Sequence, residues 1–377
     1  MTVQLPKNLF TEAFVQNVID EACAIQSIPA PTFQETRRAD YFIEQFRAWG
    51  LSDVQRDAAG NVLARFPGGS ARPLVVSAHL DTVFPMDTPL ELRRGADRIT
   101  GPGIGDNSLG LAGAAGVVRF LKEQHTALPG DVWLAMNTGE EGLGDLRGIQ
   151  AVVNRFQGEP LAYLVVEGMG LGTILHRGLG VERYKISVQT AGGNSWVDYG
   201  SPSAIHELSR LVVRLTEITL PKAPCTTLNV GVIQGGTSIN TIASSAWLEL
   251  DLRSEDSGAL AALVNEVINT ADSLRRPGVQ ILVERIGRRQ AGQIPAKHPL
   301  VALAVSALEA LGVEARLDIA STDANLPLSR GYAAICIGMT HGINAHTREE
   351  LIYTAPVALG MAQLYYLITQ AWTKIHS

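Results

Sequence analysis

The residues most suited to chemistry begin with a histidine and an aspartate at the end of an apolar run. His79 and Asp81 lie in the stretch VVSAHLDTVFP, whose first residues are typical of a buried strand. Side chains two positions apart in a strand point to the same face, so both should project together at the carboxyl end of the strand. Two polar groups side by side at the rim of a buried sheet need hydrogen-bond partners or a functional role.

Four further segments carry acidic or histidine side chains beside the ends of predicted strands or helices. Asp106 lies in the glycine-rich turn GPGIGDNSLGLAG before a helix, and the adjacent Glu140 and Glu141 follow the apolar strand DVWLAM. Glu167 ends the strand LAYLVVE, and His346 follows the strand AAICIG in the segment HGINAHTREE. Functional residues of an open α/β sheet gather outside the carboxyl ends of its strands, so we expect these side chains to meet at one edge.

Each of these residues taken singly has a structural explanation. A histidine at a strand end is more often a hydrogen-bonded structural residue than a ligand, and Asp106 could cap the following helix. Together they favour a metal centre, because Glu140 and Glu141 repel each other unless a positive charge lies nearby. Three carboxylates and two imidazoles suit two divalent ions such as Zn²⁺, with one carboxylate bridging them. Such a centre generates hydroxide near neutral pH, and a spare carboxylate can move the proton to a leaving amine.

The glycine-rich turn has one rival interpretation, a dinucleotide site that would need no metal. Its glycine spacing differs from G-x-G-x-x-G, and no long apolar strand precedes it. The sequence also lacks G-x-S-x-G, P-loop and H-E-x-x-H motifs. Serine hydrolases, phosphate-binding loops and single-zinc proteases are therefore disfavoured.

Composition indicates an acidic, folded protein of 377 residues, 46% of them hydrophobic and 18% charged. A net charge of −6 and the lack of a basic run argue against a nucleic-acid partner. No segment approaches the roughly 18 apolar residues of a membrane helix, and no signal peptide is visible. Three scattered cysteines, Cys23, Cys225 and Cys336, are expected to be buried in a reducing compartment. We therefore expect a cytoplasmic protein with no membrane association.

Alternating helices and strands must position the candidate residues. Helical spacing predicts helices near residues 10–26, 34–49, 108–124, 298–311 and 355–374. Apolar runs predict strands near residues 61–66 and 73–78 and in DVWLAMNT, LAYLVVEG and AAICIG. This order predicts the α/β class, with a mostly parallel sheet flanked by helices.

The pattern changes between about Gly180 and Arg289. Two helices and four strands follow there in the order β-α-β-β-α-β, which is typical of a ferredoxin-like sandwich. The sequence therefore predicts an α/β domain of residues 1–180 and 290–377, which also carries the candidate metal ligands, interrupted by an inserted α+β domain of residues 181–289.

Six blocks together resemble one known family. SAHLDTV, GIGDNSLGLAG, TGEEGLG, VVEG, GGTSINTIASSAWLELDLRSED and GINAHTREELI resemble, in order, the signature blocks of the dinuclear-zinc metallopeptidase family. That family includes aminoacylase, glutamate carboxypeptidase, acetylornithine deacetylase, succinyl-diaminopimelate desuccinylase and tripeptide aminopeptidase. The resemblance implies a zinc-exopeptidase-like catalytic domain and an inserted domain that serves as lid and forms a homodimer.

The resemblance also implies how the metals are held. His79 and Glu167 would bind one ion, Glu141 and His346 the other, and Asp106 would bridge the two. Zinc is the expected metal, and manganese or cobalt would also suit these ligands.

Two further residues of the centre receive roles from the resemblance. Glu140 would be the general base and then the general acid. Asp81 would orient the ring of His79 through the nitrogen that does not bind metal. The implied reaction is hydrolysis of an amide bond in a small peptide or an N-acyl amino acid, and the block TGEEGLGDLRG is closer to the peptidases.

The resemblance also implies contacts with the substrate, and two of these residues have an alternative structural role. Asn240 in GGTSIN and Arg253 in LDLR match positions that contact a substrate carboxylate or carbonyl, and Ser321 and Asp323 lie in a segment that resembles a substrate-side loop. Asn240 could instead shape a turn between two strands, and Arg253 could pair with a neighbouring acidic residue such as Asp251.

Asn194 departs from the family pattern. It stands where the block G-G-H-S has a histidine that reaches the scissile carbonyl oxygen. An amide can donate to an oxyanion but lacks the charge-assisted bond of an imidazolium, and loss of such a donor costs roughly 10²–10³ in rate. The alternative hypothesis is therefore a metal-binding protein of the same fold with weak or lost catalysis.

Overall fold

The computed structural model describes residues 9–375, which divide into two compact units. The first contains the chain up to Gly178 and from Gly292 onward, and the second is Leu179–Ala291. The boundaries expected from the sequence, 181 and 289, differ from these by two residues each. The change of pattern along the sequence therefore marks the place where the chain leaves one compact unit and enters another.

The helices of the described chain are α1 (Glu12–Gln26), α2 (Thr36–Ala48), α3 (Gly110–Glu123), α4 (Arg147–Phe156), α5 (Ala204–Thr216), α6 (Ser257–Asp272), α7 (Pro299–Ala310), α8 (Asn325–Ser329) and α9 (Val357–Lys374). The strands are β1 (Ser52–Arg56), β2 (Val62–Phe66), β3 (Ala71–His79), β4 (Arg93–Arg94), β5 (Arg98–Thr100), β6 (Gly130–Asn137), β7 (Ala162–Met169), β8 (Thr173–Gly178), β9 (Gly180–Gln189), β10 (Gly193–Asn194), β11 (Thr226–Gly235), β12 (Thr241–Ile242), β13 (Ser245–Ser254), β14 (Gln280–Arg289), β15 (Gly292–Gln293), β16 (Arg316–Ala320), β17 (Ala334–Thr340), β18 (Gly342–Ile343) and β19 (Leu351–Tyr353).

A mixed sheet forms the centre of the first unit, in the order β1-β2-β6-β3-β7-β17-β8-β15, with β16 beside β8. Its four central strands, β6, β3, β7 and β17, are parallel to one another. Antiparallel pairs lie on both sides of this centre, where β2 joins β6 and β8 joins β17. The predicted α/β class with helices flanking the sheet is confirmed, and parallel pairing dominates only its middle.

Helix α3 lies in the core of the first unit because small residues allow close neighbours. Its sequence GLAGAAGVV is buried throughout. A Cβ atom at Gly116 would lie 2.7 Å from Cγ2 of Val18 in α1, so only glycine permits this separation. The helix follows the turn that carries Asp106, and its close packing therefore fixes where that turn ends.

A small four-stranded sheet of the first unit, in the order β18-β19-β5-β4, was not predicted. Its strands are two or three residues long. Strand β5 leads into the glycine-rich turn, and the connection between β18 and β19 carries His346. Leu351 of β19 pairs with Thr100 of β5, so the small sheet sets these two segments side by side.

The second unit has the predicted order of elements, with its four long strands arranged β11-β13-β9-β14. All neighbours in this sheet are antiparallel, as in a ferredoxin-like sandwich. Its own core includes Ile186, Leu248 and Val267. A short ribbon of β10 and β12 was not foreseen, and it holds Asn194 opposite Thr241.

The cysteines differ from expectation at one position. Cys23 and Cys336 are buried, whereas Cys225 is exposed at the start of β11. The prediction of burial is therefore wrong for Cys225. No helix within residues 9–375 combines the length and apolar character needed to cross a membrane.

Candidate metal centre

The carboxyl ends of the central strands bring the predicted ligands to one edge of the sheet. His79 is the last residue of β3, Glu141 follows β6, and Glu167 lies near the end of β7. The parallel register sets His79 beside Asn137, the last residue of β6, so these side chains start from neighbouring backbone positions. The alternation of apolar strands and polar strand ends therefore produces the meeting of side chains that the sequence indicated.

Asp106 lies between the two histidines. Its Oδ1 atom is 3.0 Å from Nε2 of His79, and its Oδ2 atom is 3.0 Å from Nε2 of His346. Each oxygen of one carboxylate thus faces a different imidazole. This is the arrangement that a carboxylate bridging two cations requires.

Two more carboxylates complete the cluster on opposite sides of Asp106. Oε2 of Glu167 is 3.6 Å from Nε2 of His79, and Oε1 of Glu141 is 3.4 Å from Nε2 of His346. Ligand atoms of His79, Asp106 and Glu141 all lie within 4.8 Å of one another. The pairs fall as the resemblance implied, and the assignment of each residue to a particular metal stays a prediction.

Asp81 supports the cluster in two ways, of which only one was expected. The Nδ1 atom of His79 lies 3.0 Å from the backbone oxygen of Asp81 and 3.5 Å from its carboxylate. A proton on Nδ1 serves both acceptors and leaves Nε2 facing the cluster. The carboxylate also accepts the backbone N–H groups of Glu140 and Glu141, each at 2.9 Å, and the hydroxyl of Thr32 at 2.9 Å.

The raised pKa values of the two histidines indicate that the cluster attracts positive charge. Burial alone would lower the pKa of His79, but the neighbouring Glu167, Asp106 and Asp81 outweigh burial and raise it well above the ordinary value. Hydrogen bonds to Asp106 and Glu141 raise the pKa of His346 to about 10. Such shifts mean that the carboxylates stabilise a cation placed among them.

The carboxylates respond to the same surroundings in opposite directions. Burial raises the pKa of Glu167 to about 7, although the positive charge of His79 partly opposes that rise. Burial also acts on Asp106, but hydrogen bonds from His346 and His79 hold its pKa well below the usual range. Asp106 is therefore more strongly ionised than Glu167.

The glycine-rich turn lies close to the cluster because its backbone packs directly against the backbone of β7. A Cβ atom at Gly168 of β7 would lie 2.0 Å from the carbonyl oxygen of Gly105, so a side chain there would push Asp106 away from Glu167. The side-chain amide of Asn107 donates to the backbone oxygen of Val166 at 2.9 Å. These contacts hold the turn against β7.

The donor set fits divalent metal ions. Three carboxylates and two imidazole Nε2 atoms converge, with 3.0 to 3.6 Å between each Nε2 atom and the nearest oxygens of its two carboxylate neighbours. Nitrogen and oxygen donors of this kind suit Zn²⁺, Mn²⁺ or Co²⁺. The residues present are therefore able to hold the two ions that the resemblance implied.

Sequence reasoning missed the residues beneath the cluster. Arg38, only 1% exposed, donates to the backbone oxygens of Ile28 and Leu80, each at 2.9 Å. Burial lowers its pKa to about 10, while the charges of Asp81, Asp106 and nearby Glu350 oppose that change. An arginine on the amphipathic helix α2 gave no local sign that it would be buried beside these acidic groups.

The segment after β16, which resembles a substrate-side loop in sequence, is partly buried against the end of β6. Asp323 is fully buried, and its Oδ2 atom accepts the side-chain amide of Asn137 at 2.7 Å. This bond ties the segment to the end of β6, so the structure gives Asp323 a supporting position behind the edge of the sheet. Ser321 lies partly exposed just beyond β16. Contact of either residue with substrate stays a prediction.

In the second unit, Asn194 and Asn240 lie close together. The backbone N–H of Ser195 donates to the backbone oxygen of Asn240 at 3.1 Å. The side-chain oxygen of Asn194 accepts the N–H groups of Trp196 and Val197, at 2.9 and 3.1 Å, so this oxygen stabilises a turn. The amide nitrogen is then the part of Asn194 suited to a substrate oxygen.

Arg253 is separated from these two asparagines within the second unit. It pairs across the sheet with Val181, where the chain enters the unit, whereas Ser245 pairs with Gln189 at the other end of the strands. Eight residues of extended chain span about 26 Å. Its Nε atom donates to Asp251 at 2.6 Å, which is the alternative pairing considered from the sequence. A small substrate bound by Asn194 and Asn240 is therefore out of reach of Arg253 in the same chain.

Comparison with known proteins agrees with the geometry. Residues 75–370 match the model of Peptidase family M20/M25/M40. The succinyl-diaminopimelate desuccinylase of Corynebacterium glutamicum is 25% identical over 332 residues, covering 86% of this chain and 88% of that protein.

Solved structures show the same fold. A tripeptidase from Staphylococcus aureus superposes with a TM-score of 0.81 at 20% identity, over 95% of this chain and 98% of that one. The YXEP protein of Bacillus subtilis, described as a dinuclear metal binding peptidase, superposes with a TM-score of 0.69 at 16% identity, over 97% and 100%. The match to the family model covers most of the chain, and this protein therefore belongs to Peptidase family M20/M25/M40, as a hydrolase that acts on amide bonds.

Proposed function

We propose that the protein is a two-metal exopeptidase that removes an amino-terminal residue from small peptides. The observation that carries the proposal is the carboxylate of Asp106, whose two oxygens each lie 3.0 Å from the Nε2 atom of a different histidine. The dinuclear peptidase among its structural neighbours supports two ions, and the tripeptidase supports a short peptide as substrate.

The residues of this chain would hold the ions and move the protons. His79 and Glu167 would hold one ion, His346 and Glu141 the other, and Asp106 both. When bound, two ions of this kind lower the pKa of a water molecule and polarise a carbonyl group. The proposed metal is zinc, since imidazole and carboxylate donors suit it, with manganese or cobalt as substitutes.

Glu140 is the proposed proton carrier. It is 6% exposed and lies three residues beyond the end of β6, next to the proposed ligand Glu141. The bond from its backbone N–H to Asp81 fixes the start of its side chain relative to His79. From that position Glu140 would accept a proton from water and deliver it to the leaving amine, a transfer worth about 10²–10⁴ in rate.

Hydrolysis of N-acyl amino acids is the second candidate. The desuccinylase relative favours it, because that protein matches this chain over 86% of its length. The two candidates share the metal ligands and Glu140, and they differ in the group that the substrate presents on the amine side. The candidate contacts Asn194, Asn240 and Ser321 would serve either substrate, and Arg253 would serve one that extends to its end of β13.

A homodimer formed through the second unit is also proposed. Exposed apolar side chains lie at the end of this unit that holds Asn194, among them Trp196 at 88% exposure, Tyr199 at 90% and Ile239 at 102%. Strand β11 is an edge strand of its sheet and exposes Ile233. Exposed apolar side chains and an open strand edge are features that a second copy would cover. Action in the cytoplasm remains an expectation from the sequence.

The test compares two substrates on the metal-loaded protein. We expect hydrolysis of trialanine to exceed that of N-acetylalanine and N-succinyl amino acids in kcat/KM, as measured by release of free amine. Preference for the acylated substrates would replace the peptidase proposal with the second candidate. Metal binding without turnover of either class would support the alternative of a protein with lost catalysis and contradict both.

Glu140→Gln tests the proton carrier in the same assay. We expect metal content to remain and kcat to fall by about 10²–10⁴, because the amide cannot accept the proton. Glu159→Gln is the matched control, since Glu159 is exposed on the loop after α4 and should leave kcat unchanged. Turnover of Glu140→Gln within tenfold of the parent would remove Glu140 from this role.

A further inference from the structure

Glu350 is a buried acidic residue without an assigned role, and it contacts the backbone beneath the metal cluster. Its side chain is inaccessible to solvent. One carboxylate oxygen, Oε1, accepts the backbone N–H of Gly105 at 2.7 Å and that of Asp106 at 2.8 Å. The residue whose backbone it holds is the one whose carboxylate lies between the two histidines.

The backbone of Glu350 connects the same turn to the segment that carries His346. Its N–H donates to the backbone oxygen of Thr347 at 3.1 Å and closes the tight turn after His346. Its carbonyl oxygen accepts the N–H of Gly101 at 2.8 Å, at the start of the glycine-rich turn. Glu350 therefore fixes Asp106 and His346 relative to each other through both its side chain and its backbone.

A buried carboxylate at this position needs a reason beyond packing. An apolar side chain would fill the space without the free energy of taking a carboxylate out of water. The charged groups near it are Arg38, which attracts it, and Asp106, which repels it. The bonds to Gly105 and Asp106 are the contacts that an apolar residue could not make.

The two histidines depend on this support to different degrees. The side chain of His79 is 1% exposed and is held by Asp81, whereas that of His346 is 55% exposed on the connection between β18 and β19. An exposed ligand on a short connection has fewer contacts to fix it. Displacement of Asp106 against His346 should therefore weaken the ion on the His346 side more than the ion on the His79 side.

We propose that Glu350 is a positioning residue that sets the bridging carboxylate of Asp106 against His346, and that binding of the second metal ion depends on its reach to the two backbone N–H groups. This inference rests on the two-metal centre proposed above. In this role Glu350 acts on the centre through Asp106, without itself binding metal or substrate.

Two conservative variants separate reach from charge. Glu350→Gln keeps the length and an acceptor oxygen but loses the charge, whereas Glu350→Asp keeps the charge and is one methylene shorter. The amide nitrogen of glutamine would take the place of Oε2, an atom without a hydrogen bond of good geometry, although the backbone N–H of Gly103 also interacts with the carboxylate. Burial of this amide nitrogen can lower the melting temperature of Glu350→Gln without moving Asp106. Glu349→Gln is the matched control, because the neighbouring Glu349 is 62% exposed.

The measurement is a Co²⁺ titration of each variant, followed by calorimetry and by the visible absorption of the bound ion, with unfolding curves to establish folding. We expect Glu350→Gln and Glu349→Gln to bind both equivalents within threefold of the parent. Glu350→Asp should bind the first equivalent within threefold and lose about 10- to 100-fold in affinity for the second, the usual effect of losing a ligand's supporting contact.

Each other outcome overturns the inference. Loss of the second equivalent in Glu350→Gln would show that charge matters, since the acceptor is retained. Parental affinity in Glu350→Asp would show that reach is unimportant, and failure of Glu350→Asp to fold would show that Glu350 serves the fold. If the parent itself binds a single equivalent, the two-metal proposal fails, whatever the variants do.

Discussion

At the scale of single residues, Asp81 joins segments that are distant in the chain. Its carboxylate accepts the N–H groups of Glu140 and Glu141 and the hydroxyl of Thr32, and its backbone oxygen faces His79. Burial alone would raise its pKa, but the bonds from His79 and from the two N–H groups hold the pKa below its usual value. Asp81 is therefore ionised at neutral pH. It positions both His79, a proposed metal ligand, and Glu140, the proposed base.

Replacement of Asp81 should affect both metal binding and catalysis. In Asp81→Ala the ring of His79 loses its carboxylate neighbour, and the N–H groups of Glu140 and Glu141 lose their acceptor. We expect metal affinity to fall about 10- to 100-fold. At saturating metal, kcat should still fall by up to about 10²-fold, because a small displacement of a catalytic group is costly. Competition with a chelator and steady-state kinetics measure the two effects.

Thr32→Val is the matched comparison for Asp81→Ala. It removes one hydrogen bond to the same carboxylate and leaves the contacts with His79 and with both N–H groups in place. Its losses in affinity and kcat should therefore be much smaller than those of Asp81→Ala. Losses of equal size in the two variants would show that Asp81 acts mainly through Thr32 and would contradict the role given to it here.

How far the sequence predicts the site depends on the distance that each contact spans. His79 and Asp81 are two residues apart, so the period of a strand was enough to place them together. The bonds from Glu140 and Glu141 to Asp81 cross about 60 residues of chain, with no local sign of them in the sequence. Asn194 shows the same limit, because it pairs in the ribbon with Thr241, which lies 47 residues further along the chain.

At the scale of elements, the packing of α1 against α3 contains a buried ion pair. Glu21 of α1 lies 3.2 Å from Arg119 of α3, and the guanidinium of Arg119 lies between the rings of Phe14 and Trp49, at 5.1 and 4.9 Å from their centroids. Burial raises the pKa of Glu21 to about 7, although Arg119 opposes the rise. The hydroxyl-bearing Tyr41 of α2 also interacts with this carboxyl group.

The raised pKa of Glu21 predicts a dependence of stability on pH. The folded chain keeps a proton on Glu21 up to about pH 7, whereas the unfolded chain releases it near pH 4.5. The free energy of unfolding should therefore fall as pH rises between these values and level off above them. Glu21→Gln has no such proton, so its melting temperature should gain a few degrees on the parent between pH 5 and pH 8.

Glu123→Gln serves as the control for this effect. Glu123 lies 3.9 Å from Arg119 on the surface of α3, and its side chain is 52% exposed. Its difference in melting temperature from the parent should not change with pH over that range. A constant difference for Glu21→Gln as well would mean that Glu21 titrates like an exposed carboxylate, contrary to its burial.

The helices and strands differ in how accurately they could be predicted from the sequence. The long helices and central strands have strong apolar periodicity, and the structure has them within a few residues of the predicted bounds. The four strands of the small sheet are too short for periodicity, and Tyr353 pairs with Arg98, which lies 255 residues earlier in the chain. The antiparallel pairing of β2 with β6 and of β8 with β17 was also not predicted, because the pattern of apolar residues does not specify the direction of a neighbouring strand.

At the scale of the whole molecule, the candidate metal site belongs to one of two units with separate cores. His79, Asp106, Glu141, Glu167 and His346 all lie in the first unit. The second unit has its own buried residues around β9 and β13 and contributes none of these ligands. A compact unit with a core of its own has its own order of strands and helices, so the pattern along the sequence changes close to the residue where the second unit begins.

Metal binding should therefore stabilise the first unit selectively. A ligand that binds only the folded state stabilises it by about 2.7 kcal/mol at 100 times its dissociation constant, so exchange through unfolding slows by about 100-fold. Hydrogen exchange followed by mass spectrometry, with and without Zn²⁺, should show this slowing in β3, β6 and β7. The buried strand β13 of the second unit should exchange at the same rate in both conditions.

His79→Ala provides the control for that experiment, since a chain without this ligand should show little slowing in any segment at the same Zn²⁺ concentration. Equal protection of β13 and β7 in the parent would mean that the units unfold as one, and protection of β13 alone would place the metal outside the cluster. Slowing confined to β3, β6 and β7, and lost in His79→Ala, is the outcome that the position of the five ligands requires.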